Sequence, residues 1–142
     1  MKLNSIIDVL IVDDQAMDQK RLSDYLKEYD VSFAVAGNAN EAMESLADYT
    51  FKLILIAADL LENDSYNIVQ KIRTYWSSDI SIVAIIEKDL EELKSKCFTA
   101  GLNGCFTKPI SRIELVGVLT QFLPKEALPT KNIQVKNEGE GY

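Results

Sequence analysis

Five short apolar runs alternate with amphipathic segments along this chain, and the alternation constrains its fold more than any other feature. The runs occupy residues 7–12, 31–36, 53–56, 80–86 and 105–107. Helical spacing of apolar residues follows the runs, over residues 14–29, 38–46, 66–75, 89–100 and 111–123. Runs this apolar are typical of strands that helices cover on both faces of a parallel sheet. The sequence therefore predicts an α/β fold with a parallel sheet and right-handed crossovers.

Capping signals mark the ends of three predicted helices. Asn38 is a predicted N-cap with Glu41 as its capping-box partner, and Ser111 is a second with Glu114. Gly101 suits the position just after a helix, where a left-handed backbone favours glycine. The residues expected to face the core are Leu22, Leu26 and Tyr29 in the first helix, Ala42, Met43 and Leu46 in the second, Ile68, Val69 and Ile72 in the third, and Ile113, Val116, Leu119 and Leu123 in the last.

Length and composition indicate one soluble globular domain. The chain has 142 residues, of which 47% are hydrophobic and 26% are charged. This balance is typical of a folded protein rather than a disordered one. Pro124 ends the last predicted helix, and no periodic pattern follows it. We therefore expect a domain over residues 1–123 and a tail or linker stub over residues 124–142.

Charge and residue usage exclude several classes of function. With 15 basic and 22 acidic residues the net charge is −7, which argues against nonspecific binding to nucleic acid or to an anionic membrane. Histidine is absent, so histidine-dependent metal sites and catalytic triads are excluded. Two cysteines and the lack of an apolar run near the ~18 residues of a membrane span indicate a reduced, cytoplasmic setting.

Candidate functional residues follow the strands at the edge where their carboxyl ends meet, the usual place for ligands in open parallel sheets. Asp13 and Asp14 come directly after the first strand, and Lys108 follows the fifth. Paired carboxylates at a strand end suit a hard cation such as Mg²⁺, while the alternative for Asp14 is a helix N-cap. The turn after the first strand contains no glycine, so neither a dinucleotide fingerprint nor a phosphate-binding P-loop is expected there.

Two segments of the sequence together resemble a known family. They are Val9-Leu10-Ile11-Val12-Asp13-Asp14, and Ala100-Gly101-Leu102-Asn103-Gly104 leading into Thr107-Lys108-Pro109-Ile110. At this separation they resemble the response-regulator receiver domain of two-component signalling, over residues 6–123. The resemblance implies a flavodoxin-like, doubly wound (βα)5 fold with a five-stranded parallel sheet of order 2-1-3-4-5. It also implies an acidic pair that holds Mg²⁺, an aspartate after the third strand that accepts a phosphoryl group from a histidine kinase, and a lysine that binds the phosphoryl oxygens.

The phosphoacceptor position departs from the family's pattern. Asp13, Asp14 and Lys108 match the motif, whereas Ala57 stands where the acceptor aspartate is expected. In the loop over residues 57–65, leucine replaces the motif's proline and serine replaces its glycine. Alanine has no nucleophilic oxygen, so no acyl phosphate can form at residue 57, and one metal ligand is lost with it.

The two positions that rearrange in the family also differ. Ile86 stands where the resemblance implies a hydroxyl residue after the fourth strand, and Cys105 where it implies an aromatic residue in the fifth. Isoleucine cannot hydrogen-bond to a phosphoryl oxygen, so we expect it to fill its place with apolar volume. The two-state switch is then expected to be frozen in one packing, because the differential contact between the two states is absent.

These departures predict a receiver-like module that is not an enzyme and that signals by phosphorylation-independent protein–protein contact. We expect Lys108 to approach Asp13 or Asp14 directly and to neutralise the site without metal. No cofactor is then required, and Mg²⁺ binds only weakly. The expected partners are a histidine kinase or an output protein of a phosphorelay.

The sequence leaves alternatives open. A phosphoaccepting regulator could use Asp59, two residues beyond the acceptor position, or Ala57 could be a variant of a competent receiver. A flavin- or nucleotide-binding protein would share the fold but lacks a phosphate loop here. A homodimer would use the face of the helix over residues 89–100, the fifth strand and the last helix, although its mixed charges are more typical of a solvated surface.

Overall fold

The computed structural model describes residues 5–57, 66–75, 79–87 and 101–123 of the chain. In this part the strands are β1 (Ser5–Val12), β2 (Phe33–Ala36), β3 (Tyr49–Ala57), β4 (Ser81–Ile86) and β5 (Gly104–Thr107). The helices are α1 (Ala16–Glu28), α2 (Ala39–Asp48), α3 (Tyr66–Tyr75) and α4 (Arg112–Phe122). The predicted helix over residues 89–100, the predicted tail over residues 124–142 and Asp59 lie outside the described residues.

The five strands form one parallel sheet in the order β2-β1-β3-β4-β5, which confirms the predicted flavodoxin-like topology. The strand order reverses beside β1, because the chain passes from β1 to β2 on one side and continues with β3 on the other. A reversal of this kind opens a crevice at the carboxyl ends of the two strands that flank it, which are β1 and β3. The register places those ends side by side: Val12 pairs with Ile56 of β3, and Ala57 pairs with Ile85 of β4.

Alternating side chains of the strands build two apolar layers, one on each face of the sheet. The α2–α3 face is built by Leu10, Val12, Ile54, Ile56, Ile82, Ala84 and Ile86 against Ala42, Leu46, Val69 and Ile72. The α1–α4 face is built by Val9, Ile11, Leu53, Leu55, Val83 and Ile85 against Leu22, Leu26, Leu115, Val118 and Leu119. Each fully buried aliphatic side chain stabilises the fold by about 1.5–3 kcal/mol. Because helices cover both faces, the strands are apolar along most of their length, as predicted.

The inward face of α4 differs from the prediction at its first turn. Ile113 is 84% exposed, whereas Leu115, Val118, Leu119 and Leu123 are buried. Ile113 precedes Leu115 by two residues, or about 200° around a helix, so the two side chains cannot face the sheet together. The expectation that Ile113 faces the core is therefore wrong. None of the helices in the described ranges is both long and apolar enough to cross a membrane.

The predicted helix caps are present, with one shift of partner. In α4 the Glu114 N–H donates to Ser111 Oγ and the Ser111 N–H donates to Glu114 Oε1, which completes the predicted capping box. In α2 the Glu41 N–H donates to Asn38 Oδ1 at 2.9 Å, as expected of an N-cap. The Glu41 carboxylate, however, accepts from the Gly37 N–H at 2.6 Å rather than from the N-cap itself. The hydrogen bond to the Glu41 carboxylate therefore comes from Gly37, one residue before the N-cap.

Arg73, near the end of α3, fixes the chain where it re-enters the sheet before β5. Its guanidinium donates to Gly101 O at 2.8 Å, to Asn103 Oδ1 at 2.7 Å and to Ile80 O. Asn103 Oδ1 also accepts from the Ile82 N–H at 2.8 Å. Gly101 has a φ of +102°, the left-handed backbone that the predicted helix end requires. These bonds tie α3, β4 and the start of β5 together, and so hold β5 in place for the residue that follows it.

Candidate functional site

The predicted site residues meet at the carboxyl edge of the sheet. Asp13 directly follows β1 and Lys108 directly follows β5, while Ala57 and Ile86 are the last residues of β3 and β4. The Lys108 N–H donates to Ile86 O, and the Lys108–Pro109 peptide bond is cis. The parallel sheet thus brings residues that are distant in sequence to one place, as the sequence predicted.

Asp13 is buried and forms part of the fold around it. It is 3% exposed, and its N–H donates to Ala36 O at 3.0 Å, which extends the pairing of β1 with β2. Its Oδ1 accepts from the Gln15 N–H at 2.9 Å, and its carbonyl oxygen accepts from Gln19 Nε2. One oxygen of the carboxylate therefore turns the chain from β1 into α1, and the other is left to face the site.

Asp14 is exposed and does not cap α1. The N-cap of α1 is Gln15, whose side chain makes no capping hydrogen bond, so the alternative interpretation of Asp14 as an N-cap is wrong. The helix begins at Ala16, one residue too late for Asp14 to stand at its N-cap. Asp14 Oδ1 instead accepts a long hydrogen bond of 3.4 Å from Gln15 Nε2. The two adjacent carboxylates therefore occupy different environments.

Lys108 contacts two carboxylates. Its Nζ lies 3.3 Å from Asp13 Oδ2 and 2.9 Å from Asp18 Oδ2. The lysine side chain is 10% exposed and that of Asp18 is 28% exposed, so solvent screens these pairs less than it screens a surface ion pair. Direct contact of Lys108 with an acidic residue was predicted, and Asp13 is the residue of the pair that it contacts. Asp18 was not predicted.

Burial raises the pKa of Asp13 above its ordinary value. The hydrogen bond from the Gln15 N–H and the charge of Lys108 lower the pKa, and the nearby charge of Asp18 raises it, but these effects are smaller than the effect of burial. Removal from water disfavours the charged carboxylate, and the ion pair offsets only part of that penalty. The Gln15 N–H and Lys108 therefore both favour the charged form of Asp13, but burial outweighs them.

Asp18 escaped the sequence analysis because its partner is 90 residues away in the chain. A local signal for it exists. Asp18 precedes Leu22 and Leu26 by four and eight residues, and both leucines are buried against the sheet. Residues four apart share a helix face, so Asp18 is the polar end of the stripe that α1 presents to the sheet, at the edge where the site lies.

A cleft next to these charges opens between α1 and the chain that follows β5. It is lined by Asp13, Asp18, Arg21, Leu22, Ile85, Lys108, Pro109 and Ile110. Two acidic and two basic side chains therefore surround an otherwise apolar cleft. The formal charges of these four side chains cancel one another.

The other predicted site positions are apolar and packed. Ala57 is 2% exposed and Ile86 is fully buried. Ile86 belongs to the α2–α3 face, and Cys105, which is half-buried, packs against the same layer. These side chains offer packing volume rather than the oxygen atoms that a metal or a phosphoryl group would need.

The described side chains do not fit a tightly held metal ion. Within the described ranges, no group of three or more metal-ligating side chains comes together. Asp13 directs one oxygen to the Gln15 N–H and the other to Lys108, and Ala57 has no side-chain oxygen. Mg²⁺ requires a near-octahedral set of oxygen ligands, and of the acidic pair after β1 only Asp14, in the part of the chain that the structure describes, keeps an exposed carboxylate.

A family model for the response regulator receiver domain matches residues 9–120 of the chain. The chain is 24% identical over 103 residues to the sensor histidine kinase RcsC of Salmonella typhimurium, covering 72% of this chain and 11% of that protein. It is 27% identical over 149 residues to the response regulator mcs4 of Schizosaccharomyces pombe, covering 86% of this chain and 28% of that protein. The chain thus spans a small part of the length of these two relatives.

Solved structures share the same fold. The Ssk1 receiver domain of Saccharomyces cerevisiae, crystallised with the phosphotransfer protein Ypd1, superposes with a TM-score of 0.75 at 24% identity and covers 90% of this chain and 96% of that one. The receiver domain of a sensor histidine kinase from Pseudomonas aeruginosa, with magnesium in its active site cleft, gives 0.70 at 22% identity and covers 84% and 98%. With the family model matching most of its length, the chain belongs to the response regulator receiver domain family of two-component signalling.

Proposed function

We propose that this chain is a receiver-type module of a two-component phosphorelay that acts by protein–protein contact and accepts no phosphoryl group at residue 57. One observation carries the proposal. Lys108, the residue that would bind a phosphoryl group, is paired with Asp13 and Asp18 beside a buried alanine at the acceptor position. The chain's own carboxylates thus already neutralise the lysine.

The chemistry of the acceptor position supports this proposal. Phosphoryl transfer needs an oxygen nucleophile held in line with the bond that breaks. Ala57 offers a methyl group that is 2% exposed. A module of this kind signals without catalysing its own phosphorylation, and we propose that it is not an enzyme.

The packing on the α2–α3 face supports a single conformational state. A ligand shifts an equilibrium only when it interacts differently with the two states. Ile86 is fully buried in the apolar layer, and Cys105 packs against that layer. Neither side chain provides a hydroxyl group that would follow a phosphoryl oxygen. We therefore propose that these two positions serve packing rather than switching.

The donor set supports weak binding of Mg²⁺ by Asp13 and Asp14 as a vestigial site. Asp13 would have to exchange its contact with Lys108 for the metal, while Ala57 contributes no ligand. Mg²⁺ retains several waters when it binds to one or two carboxylates. The proposed function accordingly requires no cofactor.

The relatives suggest the class of partner. Among them are histidine kinases, and the Ssk1 receiver was crystallised with a phosphotransfer protein. We propose that this chain, through the domain over residues 1–123, contacts a kinase, a phosphotransfer protein or an output protein in the cytoplasm. A homodimer through residues 89–100, β5 and α4 is a second proposed contact, and the 84% exposed Ile113 at the start of α4 fits a contact surface.

Incubation with acetyl phosphate and Mg²⁺, followed by intact mass measurement, tests the proposal. The wild-type chain should gain no phosphoryl group. The Ala57→Asp variant is the matched control, because uptake by that variant shows that the rest of the framework is intact. A phosphoryl gain by the wild-type chain would contradict the proposal, and its loss in Asp59→Asn would assign the gain to the alternative acceptor.

A further inference from the structure

The residue that contacts Lys108 at the shorter distance is Asp18, to which the family resemblance assigns no role. The Lys108 Nζ to Asp18 Oδ2 distance is 2.9 Å, against 3.3 Å to Asp13 Oδ2. Asp13 also directs its second oxygen to the Gln15 N–H. By distance, Lys108 donates its stronger charge-assisted hydrogen bond to Asp18.

We propose that Asp18 is a positioning residue, which holds the Lys108 ammonium on the α1 side of the crevice so that an incoming phosphoryl anion must displace a carboxylate to reach it. The inference rests on the proposed function and deepens it by naming the group that keeps the lysine engaged. It also implies that restoring a carboxylate at residue 57 restores phosphoryl uptake only in part.

The position of Asp18 makes this contact a fixed one. Asp18 lies in the first turn of α1 and continues the stripe of Leu22 and Leu26, both of which are buried. The helix backbone is thereby anchored against the sheet within one turn of the carboxylate. A carboxylate on an anchored helix loses less side-chain entropy on pairing than one on a loop.

The charged side chains that line the cleft are balanced, so Lys108 needs no added anion to neutralise it. Asp13, Asp18, Arg21 and Lys108 line it together, so two negative and two positive charges lie side by side. A phosphoryl group would add negative charge beside two carboxylates while competing with them for one ammonium. Removal of the Asp18 charge would leave a phosphoryl group with one fewer competitor for the lysine, and the cleft with one negative charge fewer.

The first test uses the wild-type acceptor position, and therefore does not depend on phosphorylation. The ¹H–¹⁵N signal of a lysine ammonium persists when hydrogen bonds slow its exchange with water, and Lys108→Arg assigns that signal. We expect it in the wild-type chain, in Asp18→Glu and in the matched control Asp24→Asn, which removes a negative charge from the exposed face of α1. We expect its loss in Asp18→Asn.

The second test places the same substitutions in the Ala57→Asp background with acetyl phosphate and Mg²⁺. The introduced carboxylate oxygen attacks phosphorus, the bond from phosphorus to the acetate oxygen breaks, and acetate leaves with that electron pair. We expect the rate of mass gain to rise about tenfold on adding Asp18→Asn, the equivalent of releasing one charge-assisted hydrogen bond. Adding Asp24→Asn or Asp18→Glu should change the rate less than about twofold.

The two proposals fail in different ways. An Asp18→Asn chain that keeps the Lys108 ammonium signal, or an equal acceleration by Asp24→Asn, would overturn the positioning role and leave the proposed function intact. Phosphoryl gain by the wild-type chain would overturn the proposed function, whatever the ammonium signal shows. Circular dichroism of each variant separates loss of positioning from loss of fold.

Discussion

The carboxyl edge of the sheet carries two neighbouring regions of opposite chemistry. On the side of α1, Asp13, Asp18 and Lys108 form a partly buried cluster of charges. On the α2–α3 face, Ile86 and Cys105 continue the apolar core. The comparison teaches that one edge of a sheet can hold two different environments side by side. In the charged half the side chains neutralise one another, and in the apolar half they pack as in the core.

The two halves are stabilised by different forces, so they respond to different substitutions. In the charged half, each charged side chain is paired with one of opposite sign. Removing one member of a pair leaves the other as an uncompensated, partly buried charge, which is destabilising. In the apolar half, stability depends on volume and on the absence of polar atoms. The predictions that follow run from the largest expected effect to the smallest.

Lys108→Met should have the largest effect, a loss of about 3 kcal/mol in the free energy of unfolding, because it leaves Asp13 and Asp18 without their shared cation. Methionine keeps most of the apolar stem, so the loss reports on charge. Urea denaturation measures it. Lys20→Met is the matched control, since Lys20 forms an exposed pair with Asp24 and should lose less than about 0.5 kcal/mol. Equal losses of unfolding free energy in the two variants would contradict the prediction, because the charged half would then contribute no more than an exposed surface ion pair.

Ile86→Thr should come second, with a loss of about 2 kcal/mol, because it removes a methyl group and buries a hydroxyl group in an apolar layer. Ile86→Val is the matched control and should lose about 1 kcal/mol through lost volume alone. Denaturant titrations of the two variants side by side give the difference. A threonine variant as stable as the valine variant would mean that this side of the edge holds a polar partner, and the contrast between the halves would fail.

The pH dependence of Asp13→Asn should give the smallest effect. Burial raises the pKa of Asp13 above its ordinary value of 3.8, so between the two values the native state binds more protons than the unfolded state. The stability that Asp13 contributes is then present below pH 3.8 and is lost as pH rises through the raised pKa. The free energy of unfolding of the wild type, relative to Asp13→Asn, should therefore fall as pH increases through this window. A relative stability that rises with pH would show that the Gln15 hydrogen bond and Lys108 together, rather than burial, dominate the pKa of Asp13.

Much of the fold was predictable because its signals are local. A run such as Val9 to Val12 is apolar at every position, since helices cover both faces of the sheet, and Ser111 and Glu114 cap a helix whatever lies beyond it. The strand order came from the family resemblance. Ile113 was misplaced because the last helix is apolar around much of its surface, so helical spacing alone did not single out its buried face.

The site was predictable only as far as the topology brings residues to one edge. Asp13 and Lys108 follow strands whose ends meet, so their contact could be inferred. The pairing of Lys108 with Asp18 could not, because it depends on the angle at which α1 leaves β1 and on a partner 90 residues away. Asp14 was a reasonable N-cap by type, but Asp13 binds the Gln15 N–H and the helix begins one residue later.

Titration with beryllium fluoride and Mg²⁺, followed by amide NMR, tests the central claim most directly, because this phosphoryl mimic binds to an available carboxylate beside a free cation. The claim is that the charged half is already satisfied and that residue 57 offers no oxygen. We predict that the amide signals of Asp13, Ala57, Ile86 and Lys108 stay where they are in the wild-type chain. Saturable shifts of these signals would show that the site still binds a phosphoryl group, and would contradict the account.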